Sequence, residues 1–212
     1  MKVVFFEGPD GTGKSTQLKR LTQGDLAALL NVQRFPSGST YGQAARQSGD
    51  PLCAALSHAA DFRLMLRFWR DEGRRPVLVC DRGPLSTMAY QGYVHGAGYD
   101  QLKPVIDLAM QGIEVAATIV FYTPFSTCLQ RAELRDGKEL PEDERKELTG
   151  AWQAYEHFRL GNRSDDELAR REFMDGWEAW TGTIHFIDGT QSEDVIQAQV
   201  EAIVRNIIEQ ES

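Results

Sequence analysis

The chain has 212 residues, enough for one domain that buries a core without disulfide or metal staples. Its 23 Lys+Arg against 31 Asp+Glu leave a formal net charge of −8, which excludes a binder of polymeric nucleic acid that relies on many cations. With 42% hydrophobic and 25% charged residues it reads as an ordinary soluble globular protein, able to bind a small anion only if a few cations converge.

Lys2-Val-Val-Phe-Phe meets Glu7 after four apolar residues, so no signal peptide is legible, and no apolar stretch reaches the ~18 residues of a membrane span. Cys53, Cys80 and Cys128 are an odd number without CxxC spacing, and the four histidines lie far apart. Free thiols in a reducing cytoplasm and no local zinc signature are the expectation.

The first apolar run, Val3–Phe6, leads into Gly8-Pro9-Asp10-Gly11-Thr12-Gly13-Lys14-Ser15, a GxxxxGK[ST] pattern between strand and helix. Such a loop turns backbone N–H groups onto phosphate oxygens at a helix N-terminus. Gly8 through Thr16, including Lys14 and Thr16 itself, are therefore candidate ligands of a nucleoside triphosphate. Lys14 reaches the β/γ-phosphates and the Ser15 hydroxyl is a candidate Mg²⁺ ligand. No Lys is followed two residues later by Asp, so the NKxD base reader of a guanine-specific switch is missing.

A second run, Val32–Phe35, precedes a helical stripe of Leu52, Leu56, Ala59, Phe62, Leu66 and Trp69. The third run, Pro76–Cys80, delivers Asp81 and Arg82 to a strand end, where ligands bind in open α/β sheets. Pro84 suits the first position of a helix just beyond, and an arginine there can hold a second phosphate bidentately. Thr87 and Gln91 share a helical face and can read a base edge. The bland reading of Asp81-Arg82 is a surface ion pair.

Ala117–Tyr122 and Thr183–Ile187 complete five continuous apolar runs alternating with helical segments. This predicts an α/β fold of three αβα layers over residues 1–212: a five-stranded parallel sheet with helices on both faces. From Gln130 to Leu148 twelve of nineteen residues are charged, which predicts a mobile or conditionally ordered segment. There Arg131 and Arg135 are four apart and Lys138 continues the face, or they form a solvated face with Glu133 and Asp136. Residues 158–182 look like extra helical material, with Leu168, Phe173, Trp177 and Trp180 as a packing stripe. Thr190 and Glu193 have the spacing of a capping box for the last helix.

Gly8–Gln17 (GPDGTGKSTQ) with Asp81–Gly92 (DRGPLSTMAYQG) resembles the thymidylate kinase family of P-loop nucleoside monophosphate kinases. Arg34–Ser39, Ala59-Ala60-Asp61 and Ile187–Gln191 resemble further family segments, so that the likeness spans nearly the whole chain. The resemblance implies a P-loop kinase fold and transfer of the γ-phosphate of ATP to dTMP with Mg²⁺, by a homodimer. By it Asp10 contacts the acceptor sugar, Arg34 and Arg82 grip its phosphate, Phe35 packs nearby, and Asp81 sits close to the magnesium. Ser86, Thr87 and Gln91 lie near the thymine, and a closing lid over 130–148 supplies Arg131 and Arg135 to catalysis beside Lys14 and Arg82. The ATP adenine meets the loop at 187–191.

Two departures stand out. Gly83 replaces the aromatic that often follows Asp-Arg, and His58 and Phe62 occupy the positions of the base-stacking aromatic and the base-reading arginine. Phe62 then stacks on the base or is plain core, and Arg63 or Arg67 supplies the hydrogen bond, with His58 a satisfied polar residue. The alternatives are a kinase for other deoxynucleoside monophosphates, and a nucleotide-binding regulatory module without turnover.

Overall fold

The computed structural model describes residues 1–71, 75–162 and 178–210. All five expected strands form: β1 (Lys2–Glu7), β2 (Leu30–Arg34), β3 (Val77–Asp81), β4 (Val115–Tyr122) and β5 (Thr183–Asp188). They make one parallel sheet in the order β2-β3-β1-β4-β5.

Successive side chains of a strand point to opposite faces, and both faces here are apolar. Val4 and Phe6 of β1 enter one core, whose cover is α1 (Lys14–Gln23, through Leu18 and Leu21) and the C-terminal helix α8 (Glu193–Glu209, through Ile196, Val200 and Val204). Val3 and Phe5 enter the other, covered by α3 (Pro51–Asp71, through Phe62 and Leu66) and α5 (Tyr99–Met110, through Leu102 and Ile106). A third cluster joins Leu85 and Ala89 to Val120 and to Tyr155 and Phe158 of α7 (Glu142–Asn162). Right-handed crossovers explain the sides. The step from β1 to β2 runs one way along the sheet and puts α1 on one face. Later steps run the other way and put α3, α5 and α7 on the opposite face. The loops after neighbouring β1 and β3 thus part, opening a crevice at the strands' C-terminal edge.

The charged stretch 130–148 is helical on both sides of a turn rather than irregular. It spans the end of α6 (Phe125–Asp136) and the start of α7, with Ala132 and Leu148 buried as anchors. Glu142, Asp143 and Glu144 lie in the first turn of α7, where the helix dipole favours acids. Gly137 ends α6 in the left-handed region at φ 65°, so Lys138 falls beyond the helix and does not extend the Arg131–Arg135 face. In the segment 158–182, Phe158 and Trp180 are core residues, the latter on a single helical turn Glu178–Thr181. Leu168, Phe173 and Trp177 lie outside the described residues.

The expected capping box is displaced. Ser192, not Thr190, caps α8, its hydroxyl accepting from the Val195 N–H at 3.4 Å. Thr190 instead donates its hydroxyl to Asp188 at 2.7 Å, closing a local turn. Ser192→Ala is therefore expected to cost about 1 kcal/mol in urea unfolding, and Thr190→Ala less. Equal losses would contradict this assignment of the cap.

Candidate active site

The loop from Gly8 to Gly13 links β1 to α1 and is packed from behind. A Cβ on Gly11 (φ +81°) would stand 2.4 Å from the Cys128 carbonyl oxygen, so α6 presses on the loop and only glycine fits. Gly13 (φ +96°) also needs the left-handed region, but nothing lies within 4 Å of its Cβ position. The loop is thus closed on its protein side and open where α1 begins. Ser15 and Thr16 are exposed on that first turn. Lys14 folds back, its Nζ donating to the carbonyls of Gly8 at 2.6 Å and Pro9 at 2.8 Å. Burial, with help from Arg82, brings its ammonium down to about 8 against the pull of Asp10 and Asp81.

Arg82 stands at the end of β3 with φ 77°, a left-handed conformation costly for a residue with a Cβ. Its guanidinium donates to Asp10 Oδ1 at 2.5 Å, to Ser86 Oγ at 3.3 Å and to Tyr90 OH at 3.3 Å, and lies 4.9 Å from the Tyr90 ring centroid. Burial opposes its charge, but Tyr90 and Asp10 outweigh that and hold it protonated. Burial would likewise raise Asp10. The charges of Arg82, Lys14, Arg135 and Arg34 together prevail and hold its carboxyl below the usual range. Four of the five expected phosphate-binding cations therefore act on one carboxylate. The fifth, Arg131, donates to the Gly11 carbonyl at 3.2 Å and the Gly189 carbonyl at 3.1 Å, tying α6 to the phosphate loop and to the loop after β5. Arg34 is exposed, with Nε 3.7 Å from Asp81 Oδ2. Asp81 itself is buried.

A cavity of about 490 Å³ opens beside Arg82 and Asp10. Phe35, Phe62, Ser86, Thr87 and Gln91 all line it. Phe62 is a core residue, only 7% exposed and edge-on to Phe35 at 5.1 Å, that also forms cavity wall. His58 lines the cavity as well, and burial pulls its pKa down to about 4, leaving a neutral imidazole. Arg63 is not brought to the cavity. It donates to the carbonyls of Ala109 at 3.4 Å and Gln111 at 2.7 Å, capping the end of α5, because position 63 lies one step round the helix from the buried face. Arg67 pairs with Asp71 at 3.8 Å on the surface. Gly83 has its reason in β1: a Cβ there would stand 2.2 Å from the Phe5 ring, which already fills the space.

Three groups at the site were given no role by the sequence reading, although Asp61 and Tyr90 lie within the segments that carry the resemblance. Asp61 is fully buried on α3 and accepts from Ser37 N at 2.6 Å and from the Ser37 and Ser39 hydroxyls at 2.5 Å each, fixing the loop that carries Phe35. Glu7, fully buried at the end of β1, is met by the hydroxyls of Ser86 and Tyr155 at 2.6 Å each. Burial raises its pKa against those contacts and the charge of Arg82. Tyr90 carries Arg82, as described above. For Glu7 the available signal was an acid closing an otherwise apolar strand.

Comparison with known proteins identifies the family. The sequence profile of the family described as thymidylate kinase matches residues 6–163. The thymidylate kinase of Nitratidesulfovibrio vulgaris is 30% identical over 226 aligned positions, covering 97% of this chain and 96% of that protein. That of Bacillus licheniformis is 26% identical, covering 98% and 96%. The crystal structure of thymidylate kinase from Ehrlichia chaffeensis shares the fold at a TM-score of 0.62 and 17% identity, covering 96% of this chain and 98% of that one. With a match over most of its length, this chain belongs to the thymidylate kinase family.

Proposed function

We propose that the chain transfers the γ-phosphoryl group of ATP to dTMP, giving ADP and dTDP for deoxynucleotide biosynthesis. The observation that carries this reading is the contact of Arg82 with Asp10 at 2.5 Å, beside a cavity walled by Phe35 and Phe62. The charges of Lys14, Arg135 and Arg34 act on the same carboxylate.

Phosphoryl transfer needs positioning and charge stabilisation more than covalent chemistry. Gly8 to Thr16 would hold the triphosphate at the start of α1, with Lys14 leaving the carbonyls of Gly8 and Pro9 for the β/γ-oxygens. Arg82, with Arg34, would hold the acceptor phosphate so that one of its oxygens faces the γ-phosphorus. That oxygen attacks, the bond from γ-phosphorus to the β,γ-bridging oxygen breaks, and ADP leaves. Asp10 would meet the acceptor sugar, Thr87 and Gln91 the base edge, and Phe62 its face. Residues 130–148 act as the lid, with Arg131 and Arg135 turned onto the transferring group and water excluded. The oxygen donors Ser15 and Asp81 suit a hard cation that keeps most of its shell for phosphate and water, and among the described residues no cluster of three His, Cys, Asp or Glu offers a closed cage. Bound there, Mg²⁺ neutralises charge on the β- and γ-phosphates.

Among the described residues no helix is long and apolar enough to cross a membrane. Free thiols at Cys53, Cys80 and Cys128 support a place in the reducing cytoplasm. We also assign a homodimer, since Leu56, Leu64 and Phe68 are exposed at helical spacing on α3.

An ADP-release assay with dTMP, dUMP, dCMP, dAMP and dGMP is expected to show turnover of dTMP, and silence on dTMP would refute the proposal. Arg82→Ala and Lys14→Ala should each lose at least ~100-fold in turnover, the scale of removing a preorganised charge stabiliser. Nucleotide binding should weaken above about pH 8, because the free protein must then take up a proton at Lys14 to present its charge. The slope approaches tenfold per pH unit, and Lys14→Met should abolish it in a fluorescence titration; a flat wild-type profile would contradict this. Phe68→Glu should convert a dimer into monomer in sedimentation, and a monomeric wild type would overturn the assembly.

A further inference from the structure

Glu7 lies outside every role assigned so far, yet it sits directly behind Arg82. The Ser86 hydroxyl and the Tyr155 hydroxyl each stand 2.6 Å from Glu7 Oε2, and they stand 2.8 Å from each other. Three oxygens thus form a closed triangle of hydrogen-bond contacts, drawn from β1, from the helical turn after β3, and from α7. Each edge of such a triangle needs one proton, because two bare lone pairs at these distances repel. The two hydroxyls supply two. Arg82 cannot supply the third edge, since its own N–H points at Ser86 Oγ from outside at 3.3 Å, nor can the Ser86 backbone N–H, which faces Oε1 at 3.3 Å.

We infer that Glu7 carries the third proton: it is a neutral carboxylic acid and a positioning residue, closing a ring that fixes Ser86 and Tyr155 behind Arg82. Full burial of this carboxyl acts in the same direction, as does the burial that keeps the Tyr155 hydroxyl protonated. The consequence for the reaction rests on the phosphoryl-transfer reading above. An ionised Glu7 would give Arg82 another anionic neighbour, beside Asp10 and Asp81, and weaken its hold on an incoming phosphate. A neutral one leaves that charge available. Because Tyr155 belongs to α7, the ring also anchors the helix that continues from the 130–148 segment to the strand that feeds the phosphate loop.

The test is an infrared difference spectrum of wild type minus Glu7→Gln at pH 7, read for a carboxylic-acid C=O band that moves in D₂O. Its presence is expected; its absence overturns the proposal. The amide nitrogen of Gln can donate to Ser86 but cannot accept from Tyr155, so Glu7→Gln opens one edge of the ring and should lose less kcat for dTMP than Glu7→Leu, which should lose about tenfold or more with the KM for ATP unchanged. A Leu variant with wild-type kcat overturns the positioning role. Should Glu7→Leu fail to fold, Tyr155→Phe removes one member of the ring and should shift the same band; an unshifted band overturns the ring. The spectrum requires no turnover. A chain that shows the band but is silent on dTMP refutes the kinase reading and supports the proton on Glu7.

Discussion

A guanidinium withdrawn from water at the end of β3 imposes the conditions that the rest of the site satisfies. Arg82 is held in a left-handed backbone conformation, stacked on Tyr90 and paired with Asp10, and each of those partners comes from a different element. Burying a cation is expensive unless it is paired and hydrogen-bonded. The Asp10 carboxylate supplies the pairing, and the charges of Arg82, Lys14, Arg135 and Arg34 outweigh its own burial. Arg82 and Asp10 thus each favour the charged form of the other. A phosphate arriving beside Arg82 meets a guanidinium already charged and oriented by its partners.

The sheet makes that field possible by geometry. Crossovers of one hand send the connections of β1 and β3 to opposite faces, and the phosphate loop and Arg82 meet in the gap. Behind the gap, α6 presses Cys128 onto Gly11 and sends Arg131 to the carbonyls of Gly11 and Gly189. The same helix therefore supports the loop's shape and carries the cations over it.

How much of this was legible in the sequence follows the range of the forces involved. Continuous apolar runs fixed by both-face burial were readable, and all five strands formed where expected. The phosphate loop and Asp81-Arg82 were readable because backbone conformation and strand ends constrain residue type locally. What could not be read depended on neighbours distant in the chain. Arg63 looked available for the base until α5 placed two carbonyl oxygens beside it. The charged stretch, expected to be mobile or conditionally ordered, gave no sign of its two buried anchors, Ala132 and Leu148. Thr190 lost the cap of α8 to Ser192 because Asp188, two residues earlier, engaged its hydroxyl. Glu7 and Tyr155 are 148 positions apart, and no local pattern joins them.

The contact between Gly83 and Phe5 ties a position on β1 and one just beyond β3 into a single volume. The aromatic ring on β1 occupies the room that a side chain after Arg82 would take. A larger residue at 83 is tolerable only once 5 has shrunk, and a smaller residue at 5 first leaves a hole in a close-packed core. Either order of exchange passes through a strained or cavity-bearing protein, by roughly 1–3 kcal/mol or more. Exchange between the two arrangements therefore meets a barrier of packing alone, which has nothing to do with catalysis.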